Sequence, residues 1–167
     1  MRTAAASLIG YRRALLAGAG LVLLIALLTP LPALHVSDGL TDIVMPLGAD
    51  GSYSYSYINS IYGAPVVERH ARFDDRLMID SVFSSDIRAV EYFRWDGQPE
   101  RVEGGYVQTA PTNSQPQLTI RVTPQYRQQI SGSGWTLDLA TRFGDGVVRV
   151  STTKMPRISV LLKGWSP

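Results

Sequence analysis

The chain has 167 residues, no cysteine, 16 Lys and Arg against 14 Asp and Glu, and a formal charge of +2. Without cysteine there is no disulfide framework, no thiolate nucleophile, no Cys-ligated metal and no lipid-modified thiol. Residues 35–167 carry 13 basic and 14 acidic groups, net −1, so no basic stripe collects phosphates and a nucleic-acid partner is excluded.

Arg2, Arg12 and Arg13 precede an uninterrupted apolar run from Ala14 to Leu28, and no acid occurs before Asp38. Lys and Arg resist translocation, so this order predicts an N-terminus held in the cytoplasm and a bulk of the chain delivered across the membrane. The run is shorter than the roughly 20 residues that span a bilayer. Extension through Thr29 to Leu34 makes up the length but brings in Pro30 and Pro32, which disrupt a helix. Two expectations follow. An uncleaved anchor gives a single-pass protein of a bacterial inner (cytoplasmic) membrane with a periplasmic C-terminal domain, and the lipid bilayer is then a partner. A cleaved signal gives a soluble periplasmic protein. Leu31-Pro32-Ala33 lacks the small-x-small pattern of a cleavage site, which favours the anchor. The organisation is thus a tail and anchor or signal over residues 1–34, a linker and domain entry over 35–50, and one extracytoplasmic β domain over 51–167.

Beyond Asp38 the apolar period is two. Ser52 to Tyr57 alternates Ser and Tyr, placing Tyr53, Tyr55 and Tyr57 on one strand face. Val66 to Phe73 is the next strand. Asp74-Asp75 turns into Arg76 to Phe83, where Leu77, Ile79 and Ser81 share one face and Met78 and Val82 the other; the three read as an antiparallel meander. Ser84 to Val90 offers one or two helical turns at most. Glu91 to Trp95 reads as a short strand ended by Asp96-Gly97, and Arg101 to Val107 as its return, bulged at Gly104-Gly105. Residues 110–116 read as a loop. Leu118 to Val122, Trp135 to Leu139, Val148 to Val150 and Ile158 to Leu162 complete the set. Eight or nine short strands at this spacing predict an all-β antiparallel sandwich or partly open barrel.

No pattern in the β region names a reaction. Glu68, His70 and Arg72 share a strand face, and a solvated polar face is the expected reading, because metal sites need three or more ligands and Arg repels a cation. Ser60 with His70 could form a nucleophile and base, but no Gly-x-Ser-x-Gly elbow surrounds Ser60. No cofactor, metal or catalytic residue is therefore assigned. The tyrosine comb is expected to be a cross-strand core ladder or, if exposed, a contact face. The contact candidates are Tyr53, Tyr55, Tyr57, Asn59, Ser60, Glu68 and His70.

The stretch from Tyr57 to Glu68, with Ser60, Pro65, Val66 and Glu68, resembles the opening signature of a bacterial family catalogued as domain of unknown function 1850. Asn59 stands where that signature has a histidine. The pattern Leu118 to Val122, Gln128-Gln129-Ile130 and Leu137 to Leu139 before a Gly-Asp-Gly turn is also similar, so the likeness covers roughly Gly51 to Ser151. It implies an exported all-β domain encoded beside TRAP transporters of the TAXI type, which import organic acids. The expectation is a non-catalytic accessory protein whose partner is the importer's membrane or solute-binding subunit. A small-ligand-binding β domain is the alternative, and a hydrolase using Ser60 and His70 the third.

Overall fold

The computed structural model describes the backbone of residues 3–162 and the side chains of residues 16–159. The described residues fall into two compact units, one holding residues 3–31 and 155–162, the other residues 32–154. Helix α1 (Thr3–Leu28) belongs to the first. Arg2 and the side chains of Arg12 and Arg13 lie outside the described residues. The helix stops before Pro30, which has no N–H to donate and disfavours helical geometry in the residue before it; the Thr29 hydroxyl meets the Ile25 carbonyl at 2.8 Å. Leu16 and the five successive residues Leu21 to Ile25 are all exposed. Five consecutive helical residues span more than one turn, so apolar side chains face every direction. Among the described residues no helix is long and apolar enough to cross a membrane.

Strand β1 (Pro30–Ser37) follows at once and pairs with β2 (Asp42–Pro46). The residues expected to extend the apolar segment and then form a linker are therefore a strand. Leu34 and Val36 are fully buried in it, and that burial explains an apolar pattern that does not end at Leu28. The Asp38 carboxylate accepts from the Leu40 and Thr41 amides and closes the hairpin. The expected meander is present as β3 (Ser52–Ile58), β4 (Pro65–Phe73) and β5 (Arg76–Ser84).

The next segment departs from expectation. Helix α2 (Ile87–Glu91) is capped by Asp86, whose carboxylate accepts from the Arg88 amide. Tyr92 and Phe93 continue from it as a turn and Arg94 and Trp95 are irregular, not a strand; Val90, Phe93 and Trp95 pack into a small apolar cluster. The hairpin is β6 (Glu100–Val102) with β7 (Gly105–Thr109), and Glu103-Gly104 is its turn, where a bulge was expected. Gly105 lies so close to the Ser84 carbonyl that no Cβ fits there. A two-residue strand β8 (Ser114–Gln115) interrupts the expected loop. Then come β9 (Gln117–Val122), a 3-10 turn over Pro124–Tyr126, β10 (Gln129–Gly132) and β11 (Trp135–Asp138). Helix α3 (Leu139–Phe143), β12 (Gly146–Pro156) and helix α4 (Arg157–Leu162) end the described chain. The last expected strand, Ile158 to Leu162, is thus helical.

Among the described residues twelve strands form two antiparallel sheets, in the orders β2-β1-β12-β9 and β11-β10-β3-β4-β5-β7-β6, with β8 beside β5. The all-β sandwich expectation holds. Leu34, Val36, Ile120, Val122 and Val148 from the smaller sheet meet Tyr53, Tyr55, Leu77 and Ile130 from the larger. This is the usual interdigitation of two inner faces. Trp135 ties the sheets further, its indole N–H donating to the Pro46 carbonyl at 2.7 Å. A second cluster of Ala64, Val66, Val82, Ala89 and Val90 packs α2 onto the larger sheet, and Tyr57 touches both clusters.

One irregularity positions side chains. Arg69 pairs with Ser81 and His70 with Ile79, so Asp80 is an extra residue, a β-bulge. The bulge resets the alternation of β5: Leu77 and Val82, expected on opposite faces, are both fully buried.

Candidate functional site

The site candidates begin with β3 and β4. Their register sets Tyr53 opposite His70 and Tyr55 opposite Glu68, on a face that is core. His70 is 1% exposed and Glu68 7%, which corrects the expectation of a solvated polar face. The two stay inside because they satisfy one another: His70 Nε2 and Glu68 Oε2 are 3.1 Å apart. The imidazole also stacks on the Tyr53 ring, centroids 4.8 Å apart and planes 16° from parallel. His70 Nδ1 and the Tyr53 hydroxyl are buried without a hydrogen-bond partner. Arg72, two residues on, turns to Asp75 at 3.3 Å instead.

Further along the ladder Tyr55 and Tyr57 stack, centroids 4.9 Å apart. Gln128 holds this end. Its Nε2 donates to the Tyr55 hydroxyl and to the Arg121 carbonyl, both at 2.8 Å, and its Oε1 accepts from the Thr123 amide at 2.7 Å. Burial pushes the Tyr55 phenol up to about 12, the Gln128 hydrogen bond opposing it and the Glu68 charge adding to it. Burial, and after it the Glu68 carboxylate, drive the Tyr53 and Tyr57 phenols well above their ordinary range.

The hairpin leaving β3 is built by Asn59. Its Oδ1 accepts from the Ile61 and Tyr62 amides at 2.9 and 3.1 Å, and Gly63, at φ +64°, closes the turn onto the Asn59 carbonyl. Asn59 is thus buried by a structural task, whereas Ser60 at the tip is exposed. A hollow of about 210 Å³ opens beside this turn, lined by Tyr55, Tyr57, Asn59, Ser60, Tyr92 and Tyr126, among others. Ile61 and Tyr92 form an exposed apolar rim, 60% and 52% accessible. Tyr92 also meets Tyr62 edge-on at 6.4 Å, and the Arg88 guanidinium lies 5.2 Å over the Tyr62 ring.

The structure therefore divides the seven contact candidates. Tyr55, Tyr57, Asn59 and Ser60 gather at the hollow. Tyr53, Glu68 and His70 lie in the core and do not line it. Ser60 and His70 share no hydrogen bond among the described residues, and His70 is committed to Glu68. No group of three His, Asp or Glu side chains able to hold a metal occurs among the described residues. Sequence reasoning missed Tyr92 and Tyr126 as lining residues. Tyr92 was assigned to a strand that does not exist, and Tyr126 follows Pro124, a turn signal that places it outside any strand but not beside the Tyr55–Tyr57 pair.

No family model matches the chain, and no significant similarity links it to a curated protein or to a solved structure.

Proposed function

We propose that the chain is a β-sandwich held at a membrane by α1, its domain on the extracytoplasmic side, acting as a non-catalytic accessory protein. The observation that carries this reading is the all-round exposure of Leu21 to Ile25 on α1. A helix apolar on every side has no face to offer water and gains roughly 25 cal/mol for each Å² covered by lipid or by another apolar surface. The arginines before the run assign the cytoplasmic end. A tether raises the effective concentration of a membrane partner, so a modest contact surface suffices. The tyrosine-lined hollow with its Ile61 and Tyr92 rim is that surface: aromatic, partly apolar and set at a hairpin tip. The resemblance noted in the sequence over roughly residues 51–151, which no family model matches, is what points to an organic-acid importer subunit as the partner.

Two measurements test this. Reporter fusions at the C-terminal end are expected to be active only outside the cytoplasm, and the protein to fractionate with membranes; a cytosolic signal overturns the topology. Affinity capture from detergent-solubilised membranes is expected to recover an importer subunit with the wild type and several-fold less with Ile61→Asp or Tyr92→Ala. Equal recovery by all three proteins removes the hollow from the contact, and recovery of no importer subunit removes the accessory role. The mass of the mature protein decides between an anchor and a cleaved signal.

A further inference from the structure

The outer face of the larger sheet carries a second feature, independent of the hollow. A cleft of about 770 Å³ lies across β10, β3, β4 and β5, within the range of small-ligand sites. Its lining mixes serines, glycines and alanines with Asp50, Arg69 and Asp80, and it reaches Tyr53 and His70. Ser131 pairs with Ser54, Ser54 with Arg69, and Arg69 with Ser81, so one cross-sheet row presents hydroxyls on both sides of a guanidinium. At one end stand the loop before β3 and the β10–β11 turn, which approach closely enough that a Cβ on Gly48 would be 3.8 Å from Ser133 Cβ. Asp80, the extra residue of the bulge, lines the cleft as well.

Arg69 and Asp80 both line the cleft, yet they do not pair with each other, and among the described residues neither belongs to any ion pair. The one hydrogen bond to the Asp80 carboxylate comes from the Ser81 hydroxyl at 3.4 Å. The other acid of the cleft, Asp50, is occupied by the Ser52 amide and hydroxyl at 3.2 and 2.6 Å. Two opposite charges, neither in an ion pair among the described residues, thus line one cleft. Counted from Ile79, which lies opposite His70, alternation places Asp80 on the guanidinium's face, and the bulge sets Ser81 on that face directly after it. Bulges of this kind re-aim side chains beside binding sites.

We infer that this cleft binds a small zwitterion, a free amino acid or a short peptide, with its carboxylate on Arg69 and its ammonium on Asp80. Arg offers a carboxylate two parallel N–H donors in a fixed fork. Ser54 and Ser131, which line the cleft on the other side of Arg69, offer hydroxyls to the ligand's amide groups. A simple carboxylate would satisfy Arg69 but lie against two acids, Asp50 and Asp80. A neutral sugar would leave both unpaired charges unused.

Calorimetric titration of the full chain in detergent tests the assignment. The probes are glycine, glycylglycine and triglycine, each compared with its N-acetyl and C-amide forms and with acetate. At least one zwitterion is expected to bind, and capping either end to weaken it at least 10-fold. Arg69→Gln is expected to abolish the preference for a free carboxylate over the amide, and Asp80→Asn the preference for a free ammonium over the acetyl form. Arg69→Lys and Asp80→Glu should retain part of each, and the thermal midpoint of all four variants should match the wild type because both residues are exposed. The inference is overturned if no zwitterion binds, if acetate binds as tightly as the best zwitterion, or if the caps act equally on the wild type and the charge-removing variants.

Discussion

Two faces of the same two strands behave oppositely. Inside, β3 and β4 offer Tyr53, Tyr55 and Tyr57 against His70, Glu68 and Val66; outside, Ser52, Ser54 and Ser56 against Ala71, Arg69 and Val67. The inner face is buried although it holds an acid and an imidazole, and the outer face stays open although its side chains are small. Burial here follows partnership, not polarity. Glu68 and His70 bond to each other within the tyrosine ladder, whereas Arg69 finds no counter-charge and remains in water. Buried polar groups persist where they are hydrogen-bonded.

The largest expected effect comes from breaking the inner pair. His70→Ala leaves Glu68 buried without its partner and should cost about 3–5 kcal/mol of unfolding free energy, read by urea denaturation. Replacing both residues by leucine should cost far less than the two single changes added together; additive costs would mean that the pair is not a unit. Next, Gly132→Ala places a methyl against the Trp135 ring, displacing the indole that donates to Pro46. A loss of about 2–3 kcal/mol and a changed tryptophan emission are expected.

A loss of about 1–2 kcal/mol is expected for Gln128→Ala, which strands the Thr123 amide and unties Tyr55. The same ladder predicts an alkaline transition. In the unfolded chain the phenols titrate near their ordinary value of about 10, and folded Tyr55 at about 12. The folded state binds the extra proton above pH 10, so stability is complete below that value and falls as pH rises through the window to about 12. Circular dichroism and tyrosinate absorbance should lose structure and gain phenolate together; free titration at pH 10 with the fold intact would place these tyrosines in water. The smallest effect belongs outside: Ser54→Ala should shift stability by less than about 0.5 kcal/mol.

Much of the sandwich was legible. The Ser-Tyr alternation and the runs at Leu118 and Val148 carry period two with β-branched or aromatic residues, and each is a strand; Asp74-Asp75 is the turn between β4 and β5. Elements failed where spacing serves two masters. Glu91 to Trp95 is rich in aromatics, as a strand would be, but Phe93 and Trp95 pack in the cluster with α2 and Tyr92 lines the hollow. Pro30 to Leu34 continues the composition of α1, yet it supplies the smaller sheet with Leu34. The β5 bulge left a trace in the sequence: Asp80-Ser81, two polar residues in succession between Ile79 and Val82, break the phase. Of the site, Tyr55, Tyr57, Asn59 and Ser60 were marked by proximity along the chain. Tyr92 and Tyr126 were not, because they reach the hollow from distant segments.

By itself the sequence determined a charged start, an apolar segment and a set of alternating strands with no disulfide, since those depend on residue type and period alone. The tertiary structure decided which side of each strand is inside, that Glu68 and His70 are a buried pair, and that Arg69 and Asp80 share a cleft. The reason is physical: alternation separates two faces of a strand, but which face is covered depends on the sheet, the helix and the bulge that meet it from elsewhere in the chain.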